Sequence, residues 1–221
     1  MMSNSGDSIL YKHKQESGER DKLCSSRVIA SATKNYKEQE LWESFIRGNE
    51  SAYDLLYQIS FHSLYNYGMK LCSQHDLVKD SIHDLFIDLW KYRSNPSRIH
   101  AIKPYQYKAL RNIILKAQAK NLPSIAVEEA YHFSFDTSTE TKLILQETQD
   151  GQRDKLQNAL NSLTQKQREV IFLKFFDQLS YEDVANVLGI STKATYKLVA
   201  RAIGFLRKKM MFITVLFTLF G

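Results

Sequence analysis

From residue 38 onward, apolar side chains return at intervals of three and four, the spacing of one helix face. Leu41 and Phe45 begin the pattern, and Ala52, Leu55, Leu56, Ile59, Leu64, Tyr67 and Leu71 continue it. Gly48 and Asn49 interrupt it and read as a turn. The segment 76–92 is sharper. On a helical projection Val78, Ile82, Leu85, Phe86 and Leu89 share one side, while Asp76, Asp80, Asp84 and Asp88 recur every fourth residue on the other. Like charges at that spacing repel one another, by a few tenths of a kcal/mol per pair. Asp76 and Asp80 recover part of this through the helix dipole, and Asp84 and Asp88 do not. The stripe is either a solvated face or a docking surface for a basic protein.

A loop over 93–102 follows. Pro104 then suits the first position of a helix running to about residue 120. Leu110, Ile113, Ile114 and Ala117 share its apolar face, with Lys108, Arg111, Asn112 and Lys116 opposite and Tyr105 and Tyr107 adding aromatic surface at the start. Cations neutralise phosphates, and aromatic rings and Asn stack on or read exposed bases, so this face suits nucleic acid.

The second periodic block spans 156–209. Leu156, Ala159, Leu160 and Leu163 form a stripe, Thr164 caps the next helix, and Val170, Ile171, Leu173 and Phe176 continue inward. Ser180 followed by Asp183 reads as a capping box. Val184, Ala185 and Leu188 face inward, and Gly189 supplies a left-handed helix end. Ile190 is expected to plug the core, and Ser191 to cap one more helix. Two short helices so joined form a helix-turn-helix, whose second helix belongs in a major groove. On that helix Lys193, Lys197, Arg201 and Lys208 fall within an arc of about 80°, with Leu198, Ala202, Phe205 and Leu206 on the buried side.

No strand-like alternation and no repeat appears, so the expected fold is all-α: two small helical domains, 38–120 and 156–209, joined by a linker over 121–155. The linker holds Pro123 and a polar run over 136–141, with a short helix near 142–148. Residues 1–37 are polar, Ser-rich and aperiodic, and read as a mobile tail. Residues 1–22 lack the apolar core of a secretory signal, which points to the cytoplasm. Residues 210–220 are apolar except for Thr214 and Thr218, and fall short of the roughly 20 residues that span a bilayer. They are expected to pack back on the core. A membrane touch behind Arg207, Lys208 and Lys209, or a protein interface, stays open.

Charge sharpens this layout. The net charge of +6 on 221 residues is modest, but residues 93–120 carry seven basic and no acidic side chains, and residues 191–221 carry six and none. Residues 38–92 are acidic, with nine acids against four bases. Two basic segments separated by acidic ones suggest two grips on one polyanion.

Chemistry of other kinds finds little support. Two cysteines, Cys24 and Cys72, exclude a disulfide scaffold. Cys72, His75 and His83 have ligand-like spacing, yet a structural zinc site asks for four ligands, usually thiolate-rich, so no metal is expected. His13, His62, His75, His83, His100 and His132 are scattered. No Gly-rich phosphate loop, nucleophile elbow or catalytic carboxylate pair occurs, so neither an enzyme, a cofactor nor a small-molecule substrate is expected.

With both halves in place, the chain resembles a bacterial RNA polymerase sigma factor of the extracytoplasmic-function (ECF) type. "SLTQKQREVIFLKFFDQLSYEDVANVLGIS" resembles the family's winged-helix-like fourth domain, and "DLVKDSIHDLFIDLW" with "KPYQYKALRNI" its second domain. The resemblance implies that Asp80, Asp84 and Asp88 dock on core RNA polymerase. It implies that Lys103, Tyr105, Lys108, Arg111, Asn112 and Lys116 hold the proximal promoter element as it melts. The loop 93–102 would capture a flipped base. Thr192, Lys193, Tyr196, Lys197 and Arg201 would contact the distal element, and the linker would thread the RNA exit region. An anti-sigma partner is also implied. Thr195 stands where the family usually has Val or Ile, Ala194 and Tyr196 depart from the common Thr-Val-Lys run, and Lys79 and His83 stand where an acid and Gln are common. The alternative is a stand-alone helix-turn-helix regulator of duplex DNA, which needs neither the acidic stripe nor the first basic helix.

Overall fold

The computed structural model describes residues 38–93, 101–120, 132–135 and 150–220. The expected N-terminal tail, most of the 93–102 loop and the short helix near 142–148 lie outside them. Among the described residues every regular element is a helix: α1 Glu38–Ile46, α2 Glu50–Leu71, α3 His75–Lys91, α4 Ile102–Lys120, α5 Asp150–Asn161, α6 Gln165–Ile171 with a π-helical segment Phe172–Phe176, α7 Tyr181–Leu188 and α8 Thr192–Phe220. The described residues pack as two units, one within Met1–His62 and Ile82–His100, the other within Ser63–Ser81 and Ala101–Gly221.

In the first unit, Gly48 at φ +85° makes the turn from α1 to α2. Asn49 then caps α2, its Oδ1 accepting from the Ala52 N–H at 3.1 Å. The core is aromatic. Tyr53 meets Trp90 edge-on at 5.2 Å and Phe86 at 6.0 Å, and Phe45 meets Trp90 at 5.9 Å. Ile82, Leu85 and Leu89 are buried beside them, while Asp84 and Asp88 are exposed, as the projection of α3 requires. Arg93 lies over the Trp90 ring at 4.2 Å and donates to the Trp90 carbonyl at 2.6 Å, holding the end of α3.

In the second unit, Leu64, Tyr67 and Leu71 of α2 are buried with Val78 of α3 and Leu110 and Ile114 of α4. Gly68 permits this approach. A Cβ there would stand 2.6 Å from Val78 Cγ1 and 3.3 Å from Ile114 Cδ1. Helix α4 begins at Ile102, so Pro104 is its third residue and not its first. The position remains compatible, because the first turn needs no intrahelical N–H donor. Tyr107, expected as surface, is buried. Phe133 and Phe135, inside the expected linker, are buried as well, and the Ser134 N–H donates to the Lys70 carbonyl at 2.9 Å.

The helix-turn-helix forms as its caps dictate. Thr164 and Ser180 each complete a capping box, with Gln167 and Asp183 respectively. Gly189 ends α7 at φ 67°, and Ser191 Oγ accepts from the Ala194 N–H at 3.2 Å. Ala185 is buried, letting α7 and α8 pack closely. Among the described residues no strand, and so no β-wing, follows.

Several inward positions differ from the simple periodicity. The π segment shifts the register by its wider turn, so Phe172 is buried and Phe176 is 58% exposed. Leu156 is 46% exposed, and Ile190 and Phe205 are also exposed. Val187 takes the inward place expected of Leu188. The inward line of α8 is Thr195, Val199 and Ala202. Thr195 is tolerated there because its hydroxyl donates to the Ser191 carbonyl at 3.2 Å. Residues 210–220 do not fold back as a separate segment, because α8 runs through them to Phe220 without a break. No Gly or Pro interrupts 205–220 to end the helix.

A methyl group at Gly68 forces Val78, whose branched side chain has little freedom to move, to shift. Gly68→Ala is expected to lower stability by about 1–2 kcal/mol in denaturant unfolding, overpacking outweighing the gain in helix propensity. Adding Val78→Ala should recover part of the loss. A Gly68→Ala chain as stable as the parent would contradict the close approach.

Candidate nucleic-acid interface

Two basic rows were expected, and they sit in different surroundings. On α8, Lys193, Lys197, Arg201 and Lys208 are all exposed, with Thr192 half-buried at the helix start. Tyr196 is 50% exposed and stacks on Tyr181 of α7, with ring centroids 3.9 Å apart. The inward line Thr195–Val199–Ala202 fixes which side of α8 faces the α7 layer, and so leaves the cations outward. A capped helix presenting lysines and arginine from one side can neutralise phosphates.

The α4 row is largely engaged within its own unit. Lys103 Nζ donates to the Asp177 carbonyl at 2.6 Å, and Lys108 Nζ to Asn186 Oδ1 of α7 at 2.8 Å. Arg111 Nε donates to Glu169 Oε1 of α6 at 3.0 Å. The Arg111 side chain is 16% exposed and that of Glu169 is fully buried. The Tyr67 hydroxyl donates to the same Oε1 at 2.5 Å. Tyr105 is half-buried, whereas Asn112 and Lys116 are exposed. The row therefore has a covered part, Lys103 to Arg111, and an open part beyond it.

Aromatic rings enclose the covered part. Tyr67 lies 5.0 Å from Tyr107 and 6.1 Å from Phe172, and Phe133 lies 5.8 Å from Phe172. The Lys70 ammonium stands over Phe172 at 5.2 Å. In such surroundings a paired carboxylate is held firmly and an unpaired one is costly. Removing one partner of a buried ion pair costs about 3–5 kcal/mol.

Asp177 ends the π segment, and Gln178 follows in a left-handed conformation at φ 57°. That tight turn presents the Asp177 carbonyl to Lys103. Burial pushes the Asp177 carboxyl up to about 6, against the opposing pull of the Tyr107 hydroxyl and the Lys103 and Lys70 charges. Burial, with Asp177 adding, also raises the Tyr107 phenol well above its usual range.

Glu169, Asp177 and Asn186, the partners of the row, were not among the residues singled out from the sequence. Glu169 did leave a signal, because it adjoins the apolar pair Val170 and Ile171 and lies one turn before Leu173, an inward place for an acid. The acidic residues Asp76, Asp80, Asp84 and Asp88 are all exposed on α3. Cys72 is buried and free, and His75 Nδ1 lies 2.5 Å from the Tyr65 hydroxyl. No helix among the described residues is long and apolar enough to cross a membrane.

The fold and the α8 row define a helix-turn-helix protein whose second helix carries an exposed basic row. Residues 153–206 match the family model described as Sigma-70, region 4. The chain also shares the fold of the sigma factor RpoE, solved in complex with the anti-sigma factor NepR from Bartonella quintana. That likeness has a TM-score of 0.52 at 21% identity, over 72% of this chain and 96% of that one. CnrH, solved in complex with the cytosolic domain of CnrY, is similar with a TM-score of 0.51 at 20% identity, over 77% of this chain and 94% of that one. No curated protein matches the sequence. The part of the resemblance that lay in 156–209 is thus met by the sigma-70 region 4 match over 153–206, and the helical fold is shared with both structures.

The raised Asp177 carboxyl sets a pH dependence. Its folded value near 6 exceeds the ordinary 3.8, so the protonated form favours the folded state. That stabilisation is complete below about pH 4 and is lost as pH rises through about 6. Its size is on the order of 3 kcal/mol. Asp177→Asn should therefore be the more stable chain at pH 7.5 and converge with the parent near pH 4. Parallel stability curves for the two chains across this range would refute the assignment.

Proposed function

We propose that the chain is a sigma factor that binds core RNA polymerase and directs promoter recognition and DNA melting. The observation that carries this reading is the exposed row Lys193–Lys197–Arg201 on a capped recognition helix, inside the segment that matches sigma-70 region 4. Thr192, Lys193, Tyr196, Lys197 and Arg201 contact the distal promoter element. Most such contacts fix register on phosphates, and a few read base edges. Residues 38–120 act as the second domain and 156–209 as the fourth, joined by 121–155. Asp80, Asp84 and Asp88 dock on the polymerase. No cofactor and no bond-making step is involved. An anti-sigma partner is part of the proposal, supported by RpoE having been solved with its anti-sigma factor.

The α4 row takes the proximal element, under one condition. A donor already holding a carboxylate or carbonyl is not free for a phosphate. Lys103, Lys108 and Arg111 must exchange Asp177, Asn186 and Glu169 for DNA, so engagement of α4 is coupled to its release from α6 and α7. Asn112 and Lys116, already exposed, make the first contacts.

Two measurements test this. Core polymerase supplied with the chain should initiate from specific promoters in genomic DNA, and Asp80→Lys with Asp84→Lys should abolish core binding while DNA retention on the α8 row persists. Unchanged core affinity would remove the docking assignment. Separately, Glu169→Gln keeps the shape of the buried group but removes its charge. Affinity of the core-bound chain for a forked promoter fragment should rise by roughly tenfold, the equivalent of one charge-assisted hydrogen bond weakened. An unchanged or lower affinity would show that Glu169 does not compete with DNA.

A further inference from the structure

Tyr196 and Tyr181 form a pile that the basic rows do not account for. Their rings are nearly parallel, 21° apart, with centroids at 3.9 Å. Aromatic pairs ordinarily prefer an offset or edge-on arrangement at a longer distance, because two electron-rich faces repel. Here the Lys174 ammonium stands over the Tyr181 ring at 4.5 Å. A cation over one ring draws density from it and makes close stacking on the second ring favourable. Lys174 is itself held, donating to the Leu179 carbonyl at 2.9 Å just before the Ser180 cap. The pile is therefore anchored to the turn that leads into α7, the first helix of the helix-turn-helix, and ends on α8.

The end of the pile is the part that matters. Tyr196 is half-exposed, and at helical spacing it falls about 60° from Lys193, on the opposite side of it from Lys197. It thus borders the cationic arc. A lone exposed tyrosine samples several rotamers and loses that freedom on binding. Tyr196 has one face covered by Tyr181 before any ligand arrives.

We infer that Tyr196 is a specificity-determining residue that packs its ring on a thymine C5-methyl group in the major groove, and that Tyr181 is its positioning residue. The inference rests on the reading of α8 as the DNA-contacting helix. Apolar contact with that methyl is a means of telling thymine from the other bases in this groove. The ring makes the contact, and the hydroxyl is dispensable. A lysine that binds phosphate does not discriminate between bases.

The test selects sequences from a pool of randomised duplexes with the full chain, alone and with core polymerase, and compares variants by affinity and by base preference. The parent, Tyr196→Phe and Tyr181→Phe should share a preference for thymine at one position. Tyr196→Ala should lose it by roughly fivefold or more, within the range for one base contact. Tyr181→Ala and Tyr181→Leu should reduce the same preference at the same position, with thermal melting confirming a folded chain. Lys197→Ala, as control, should weaken all sequences alike. A thymine preference intact in Tyr181→Leu, or a uniform loss of affinity in Tyr196→Ala, overturns the inference. A parent chain that selects no sequence overturns the DNA-contacting reading of α8 and this inference with it.

Discussion

A fully buried carboxylate must be answered by its surroundings, and Glu169 is answered from two distant parts of the chain. Arg111 comes from α4 and Tyr67 from α2, and both meet the same oxygen. An ionised group without water needs nearly all of its compensation from such partners. Much else in the second unit follows from this one requirement. Helices α2, α4 and α6 must approach closely enough for the three side chains to meet, which asks for glycine at position 68 and for flat rings between the helices. Phe133 and Phe135 complete the enclosure from a segment that carries no regular structure.

The contrast between the two basic rows has the same root. On α8 the inward positions are apolar or, at Thr195, satisfied by the helix's own backbone, so the cations are left outward. On α4 the polar side faces acceptors on α6, on α7 and at the end of the π segment. Similar charge patterns thus end in different environments, one exposed and one occupied. Occupied cations make a binding surface whose availability depends on what its present partners are doing.

Local chemistry was the legible part. The caps at Thr164, Ser180 and Ser191, the left-handed Gly189 and the two sides of α3 each depend on residues within one or two turns, and all were readable in sequence. What was not readable depends on distant contacts. The Tyr67–Glu169 pair is separated by 102 positions, and no spacing rule reaches that far. Periodicity tells which side of α4 is polar but not what covers it, so Arg111 read as surface. Phe133 and Phe135 lie in a stretch poor in pattern, where two isolated aromatics give no period to detect. The π segment defeats a fixed 3.6-residue count, which is why Phe176, expected inward, is exposed while Phe172 is buried.

The unbroken course of α8 has a mechanical consequence. Twenty-nine residues of helix make a rod of about 44 Å, with Lys193, Lys197 and Arg201 near one end and the apolar run at the other. A rod transmits rotation and tilt along its length, as a flexible tail cannot. A tilt imposed at the far end is therefore carried along the helix to Lys193, Lys197 and Arg201.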